Sequence, residues 1–88
     1  MSDVLAKLRV QLETMEWPSV YMYKFIVPNH PEKVDAVKAM FDDSAVIKIT
    51  NSKNGNFTSV SIEVVELDVD SILDKYKVAS QIQGIISL

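Results

Sequence analysis

A chain of 88 residues that is 48% hydrophobic and 24% charged, with two glycines and three prolines, has the composition of one globular domain, not a disordered tail. At this size folding hides only about 60 to 65% of the unfolded chain's surface, which leaves room for one modest core and little for a deep active site. A formal charge of −3 gives no long-range pull on phosphate backbones, and the lack of cysteine excludes disulfide, thiol and zinc-thiolate chemistry.

Leu5, Leu8, Leu12 and Met15 recur at helical spacing with Lys7, Arg9, Gln11 and Glu13 between them, so residues 1–16 read as an amphipathic helix ending before Trp17-Pro18. It either docks on the domain body or pairs with another chain; two heptads are too few for a convincing coiled coil. Residues 17–88 read as a single domain. Val20 to Val27 alternate as a strand, with Tyr21, Tyr23, Phe25 and Val27 on one face and Met22, Lys24 and Ile26 on the other. Pro31-Glu32 opens a helix capped by Asn29 or His30, striped by Val34, Val37, Met40 and Phe41 and ending near Asp42-Asp43-Ser44.

Val46 to Thr50 follows as a strand with Ile47 and Ile49 facing one way and Lys48 the other. Asn51 to Gly55 is turn chemistry, in which Asn54-Gly55 is expected to supply the positive φ angles of a tight hairpin. In the next strand, Asn56 to Glu66, Val60, Ile62 and Val64 point to the core and Ser59, Ser61 and Glu63 to water. Asp68 caps a helix whose Val69, Ile72, Tyr76 and Ala79 face inward. Gln81 to Leu88 is expected as a closing strand with Ile82, Gly84, Ile86 and Leu88 on one face.

This βαββαβ order, preceded by an extra N-terminal helix, predicts an α+β ferredoxin-like sandwich: a four-stranded antiparallel sheet of order 4132 with two helices on one face. The uncovered face should carry Met22, Lys24, Ile26, Lys48, Ser59, Ser61, Glu63, Gln83, Ile85 and Ser87, a mixture neither fully polar nor apolar enough for a second core.

Catalytic and cofactor patterns are largely missing. His30 is the only histidine and precedes a proline in a loop, so no metal or cofactor is expected. Asp68, Asp70 and Asp74 begin like a calcium loop, but Leu73 stands where that loop needs glycine. No G-x-S-x-G elbow surrounds a serine, and Gly55 stands alone where phosphate fingerprints need clustered glycines. RNA recognition by the same strand order needs stacking aromatics on the third strand, where this chain has Ser59 and Ser61 with Phe57 only at the entry. The expectation is a protein that is neither an enzyme nor a nucleic-acid binder. No apolar stretch approaches the roughly 18 residues of a membrane span, and MSDVLAKLRVQLE lacks the features of a signal peptide, which points to the cytoplasm.

Trp17-Pro18 leading into Tyr23-Lys24, then Ser52-Lys53-Asn54-Gly55-Asn56-Phe57-Thr58-Ser59-Val60-Ser61, then Tyr76 and an end at Leu88, resemble the YbeD-like family of small bacterial domains of unknown function. The likeness runs over about residues 12 to 88, and S-x-x-G-x-aromatic-x-S-V is its most specific part; Phe57 replaces a usual tyrosine and Trp17 a usual phenylalanine. The resemblance implies a ferredoxin-like fold similar to the ACT-type regulatory domains, which commonly pair through sheets or helices and bind small ligands at the interface. Val27-Pro28-Asn29-His30 stands where ACT domains carry a glycine-rich turn.

Two functions are expected to compete. One is a regulatory or protein-binding module, acting on a protein partner or as a homodimer through Lys24, Lys48, Ser59 and Ser61. The other is an ACT-like sensor in which Ser52, Lys53, Asn54 and the NH groups near Gly55 receive an amino acid or other small anionic metabolite.

Overall fold

The computed structural model describes residues 2–87. Its elements are α1 (Ser2–Glu13), β1 (Ser19–Pro28), α2 (Pro31–Lys38), β2 (Val46–Asn51), β3 (Phe57–Glu66), α3 (Val69–Ala79) and β4 (Ile86–Ser87). The strands form one antiparallel sheet in the order β2-β3-β1-β4, which counted from the β4 edge is 4132. The class is therefore α+β, with the expected element order.

The centre of the sheet is the unbroken ladder between β1 and β3, from Ser19 opposite Glu66 to Pro28 opposite Phe57. Because side chains alternate along a strand, this register sends Tyr23, Phe25 and Val27 to the same face as Val60, Ile62 and Val64, and these six form the sheet side of the core. Val37 from α2, Ile72, Leu73 and Ala79 from α3 and Leu12 from α1 close over them. An aromatic cluster is embedded here: the Tyr23 ring lies 4.8 Å from Tyr21, 5.1 Å from Phe41 and 5.5 Å from Tyr76. Such pairs add about 0.5 to 1.5 kcal/mol each beyond the area they bury.

The N-terminal helix docks within its own chain. Leu12 is buried, Leu5 and Leu8 lie against the core, and Arg9 donates to Asp70 on α3 at 2.7 Å. The Trp17 indole NH donates to the Leu12 carbonyl at 2.9 Å, satisfying one of the carbonyls that a helix end leaves without a partner. Met15, expected in the buried stripe, lies past the end of α1 and is 45% exposed.

Other expectations also shift. The second helix ends at Lys38, earlier than Asp42 to Ser44: the backbone tightens to three-residue turns, with the Met40 NH on the Val37 carbonyl and the Phe41 NH on the Lys38 carbonyl, both at 3.1 Å. Asp42 then forms its own turn by accepting from the Ser44 NH at 2.9 Å. His30 takes the cap position without a side-chain bond, and Asn29 bonds the hairpin instead. Asp68 does cap α3, accepting from the Ser71 NH at 2.8 Å, and those bonds hold its carboxyl below the usual range.

The largest correction concerns the closing strand. Among the described residues only Ile86 and Ser87 pair with β1 here, and Ile86 stands opposite Ile26 while Ser87 stands opposite Phe25. Ile86 therefore lies on the uncovered face and Ser87 on the helix side, the reverse of the expected assignment. Residues from Gln81 to Ile85 turn instead of extending: Ile82 and Ile85 both pack against the core, and Gly84 adopts a φ of +85°. A Cβ at Gly84 would sit 2.8 Å from the Pro28 side chain, so this turn needs glycine for conformation and for space. Leu88 lies outside the described residues.

Candidate functional site

The uncovered face is a set of cross-strand rows. Lys48, Ser61 and Lys24 form one row, because Ser61 is the partner of both lysines; Val46, Glu63 and Met22 form the next, and Thr50, Ser59, Ile26 and Ile86 lie on the other side. Two strand spacings separate Lys24 from Lys48, about 10 Å between their Cα atoms. Neither lysine, nor Lys53, enters an ion pair among the described residues. The face also exposes Val20, Met22, Val46, Phe57, Val65 and Ile86. Gln83 and Ile85, expected here, belong to the turn before β4 and to the core side respectively.

At one end of this face a shallow groove of about 420 Å³ is lined by Ile26, Thr50, Asn51, Ser52, Phe57, Ser59 and Ile86. It joins the two groups of candidate residues, since Ser52 belongs to the hairpin turn and Ser59 to the sheet. The face is laterally continuous from Lys24 to the turn.

The turn itself is closed by its own bonds. Ser52 Oγ donates to Asn54 Oδ1 at 2.8 Å and accepts from the Phe57 NH at 3.1 Å, while the Asn56 NH donates to Asn54 Oδ1 at 3.1 Å. The Gly55 NH donates to the Ser52 carbonyl at 3.0 Å and the Ser52 NH to the Phe57 carbonyl at 2.9 Å. Among the described residues Gly55 alone in this turn has a positive φ, +74°, so Asn54 does not adopt the left-handed conformation expected of it. Asn29 then clamps the hairpin from below, donating to the Gly55 carbonyl at 2.8 Å and approaching the Thr58 hydroxyl at 3.0 Å. Ser52, Asn54 and Gly55 hold the loop in shape, and Lys53 is the turn's exposed charge.

Two buried polar residues escaped the sequence reading although they obey its alternation. Thr58 and Glu66 share the inward register of Val60, Ile62 and Val64. Glu66 accepts from the Tyr23 hydroxyl and from Lys75 Nζ, the latter at 2.9 Å, and Lys75 also sits 5.1 Å from the Phe41 ring centroid. Burial and the Glu66 contact push the Tyr23 hydroxyl well above its ordinary range; burial and Tyr21, 2.8 Å away, raise Tyr76. A charge on a core-facing strand position could have drawn attention to Glu66, since such a residue needs a partner. The helical spacing that places Lys75 nine residues further on does not reveal it.

The domain is a small α+β unit with one covered and one open sheet face. The family model described as "Protein of unknown function (DUF493)", which is the YbeD-like family, matches residues 13–87, and the chain belongs to that family. No curated protein and no solved structure matches the chain. No helix among the described residues is long and apolar enough to cross a membrane.

Proposed function

We propose that the domain is a non-enzymatic regulatory module of ferredoxin-like architecture that binds another protein through its open sheet face. The observation that carries this reading is the composition of that face: six exposed apolar side chains around a row of two lysines, on a chain whose formal charge is −3. Apolar area supplies the driving force for association, and local positive charge on an acidic protein selects a partner surface with carboxylates. Glu63 is the single carboxylate among the inter-strand rows around Lys24 and Lys48, so an acidic partner meets little repulsion there.

Affinity capture with the wild type and with the Lys24→Glu/Lys48→Glu variant as bait, combined with light scattering over a range of concentrations, tests the reading. A partner held by the wild type and lost by the variant is expected. Identical captured sets from both baits, with the protein monomeric at every concentration, would count against it.

A further inference from the structure

The edge of β1 at Val20 and Met22, along which no described residue pairs, offers a second surface, separate from the open face. The Asn29 NH donates to the Asn56 carbonyl at 3.0 Å, toward β3, and the β1–β3 register runs on without a bulge. In an antiparallel ladder the backbone groups of successive residues point to opposite edges, so odd-numbered residues of β1 bond to β3 and even-numbered ones point away. Ile26 obeys this by standing opposite Ile86 of β4. Val20 and Met22 therefore direct their NH and carbonyl groups toward the edge beyond β4, whose described ladder covers only Phe25 and Ile26.

Beside that edge, on the helix side, lies a cleft of about 630 Å³ between α1 and α3. Leu5 and Leu8 form its apolar wall, with Tyr21 of β1 and Ser87 of β4 also lining it. A strand added along β1 in line with β4 would turn alternate side chains into this cleft. The lining includes Lys7 and Lys77 and, among the described residues, no carboxylate.

We propose that the edge of β1 at Val20 and Met22, together with the α1–α3 cleft, takes an extended peptide segment that presents an apolar side chain flanked by acidic ones. Backbone pairing holds the segment, the cleft receives the apolar side chain, and Lys7 and Lys77 meet its acidic neighbours.

A library of random octapeptides displayed on phage, selected against the intact protein, tests this. Selected peptides are expected to be rich in Asp and Glu around an apolar residue. Their affinity should fall tenfold or more in Ser80→Trp, which crowds the cleft, and in Lys7→Glu/Lys77→Glu, and should be unchanged in Lys24→Glu/Lys48→Glu. Hydrogen exchange followed by NMR should show the Val20 and Met22 amides protected in the complex, and the circular dichroism of each variant establishes that it is folded. Failure to enrich any such peptide overturns the proposal. So do binders that are lost in Lys24→Glu/Lys48→Glu but kept in Ser80→Trp, an outcome that leaves the open-face reading standing.

Discussion

The two faces of one sheet are built from the same strands, often from adjacent residues, and yet they are chemically opposed. Thr58 is 1% exposed and its neighbour Phe57 is 42% exposed; Tyr23 is fully buried and Met22 is 58% exposed. A polar residue is inside and a large aromatic outside, which inverts the usual preference. On the covered face the inversion is resolved by partners, since Thr58 meets Asn29 and Asn51, and Glu66 meets Tyr23 and Lys75. Nothing comparable accounts for Phe57, Met22, Val46 and Ile86 on the open face. Structural pressure explains one side of the sheet, and the residues it leaves unexplained gather on the other.

The contrast is sharpest in substitutions. Phe25→Ala, in the aromatic cluster, should cost about 3 to 5 kcal/mol, a large share of the stability of so small a domain, whereas Met22→Ala, the strand neighbour but two on the opposite face, should stay within about 0.5 kcal/mol. Urea unfolding of the two variants measures both, and a costly Met22→Ala would mean that the open face is not a bystander to folding. The two glycines give a second, smaller contrast. Gly84→Ala combines a left-handed backbone with a collision against Pro28 and should cost about 2 to 4 kcal/mol, while Gly55→Ala, with nothing within 4 Å of its added Cβ, should cost only about 1 to 2 kcal/mol.

Lys75→Met leaves the Glu66 carboxylate without its cation in a largely buried site and should lower stability by about 1 to 3 kcal/mol at neutral pH. Lys48→Met on the open face should change stability little and is the matching control. Ser52→Ala, which deletes one acceptor and one donor inside the hairpin turn, should cost about 0.5 to 1.5 kcal/mol. That loss should appear in the free protein, as expected of a residue that shapes the loop.

The smallest effect concerns acid. Asp68 and Asp42 are held below their ordinary range by hydrogen bonds from Ser71 and Ser44. A depressed carboxyl contributes stability that is fully present above its unfolded value and is lost as pH falls through its folded one. In the Asp68→Asn/Asp42→Asn variant the urea midpoint should therefore fall less steeply between neutral pH and the acid range below the usual carboxylate values.

The sequence made the two faces legible wherever alternation was long. In β1 and β3 the period of two fixes which side each residue takes, and Lys24, Lys48, Ser59 and Ser61 are found together on the open face as the pattern requires. The same rule applied to Gln81–Leu88 went wrong because Ile82, Ile85 and Ile86 are not evenly spaced. A turn at Gly84 lets Ile82 and Ile85 reach the core together and sends Ile86 outward. Pro28, the neighbour that makes this turn specific to glycine, is 56 positions earlier, a distance at which no local pattern carries information. The turn at Ser52 to Phe57 was legible as a turn but not in its detail: Gly55 alone takes a positive φ, and the bonds that Ser52 and Asn54 make inside the loop depend on side-chain geometry that residue types do not specify.

Trp17 has a further consequence. It is the chain's one tryptophan, and its indole NH is tied to the last turn of α1 while its ring lies 6.3 Å from Tyr21 at the mouth of the sheet. The molecule thus contains its own optical gauge at the seam between the first helix and the rest. Release of α1 would free the indole from its carbonyl and change its solvent exposure, so its emission can follow the helix without any added label.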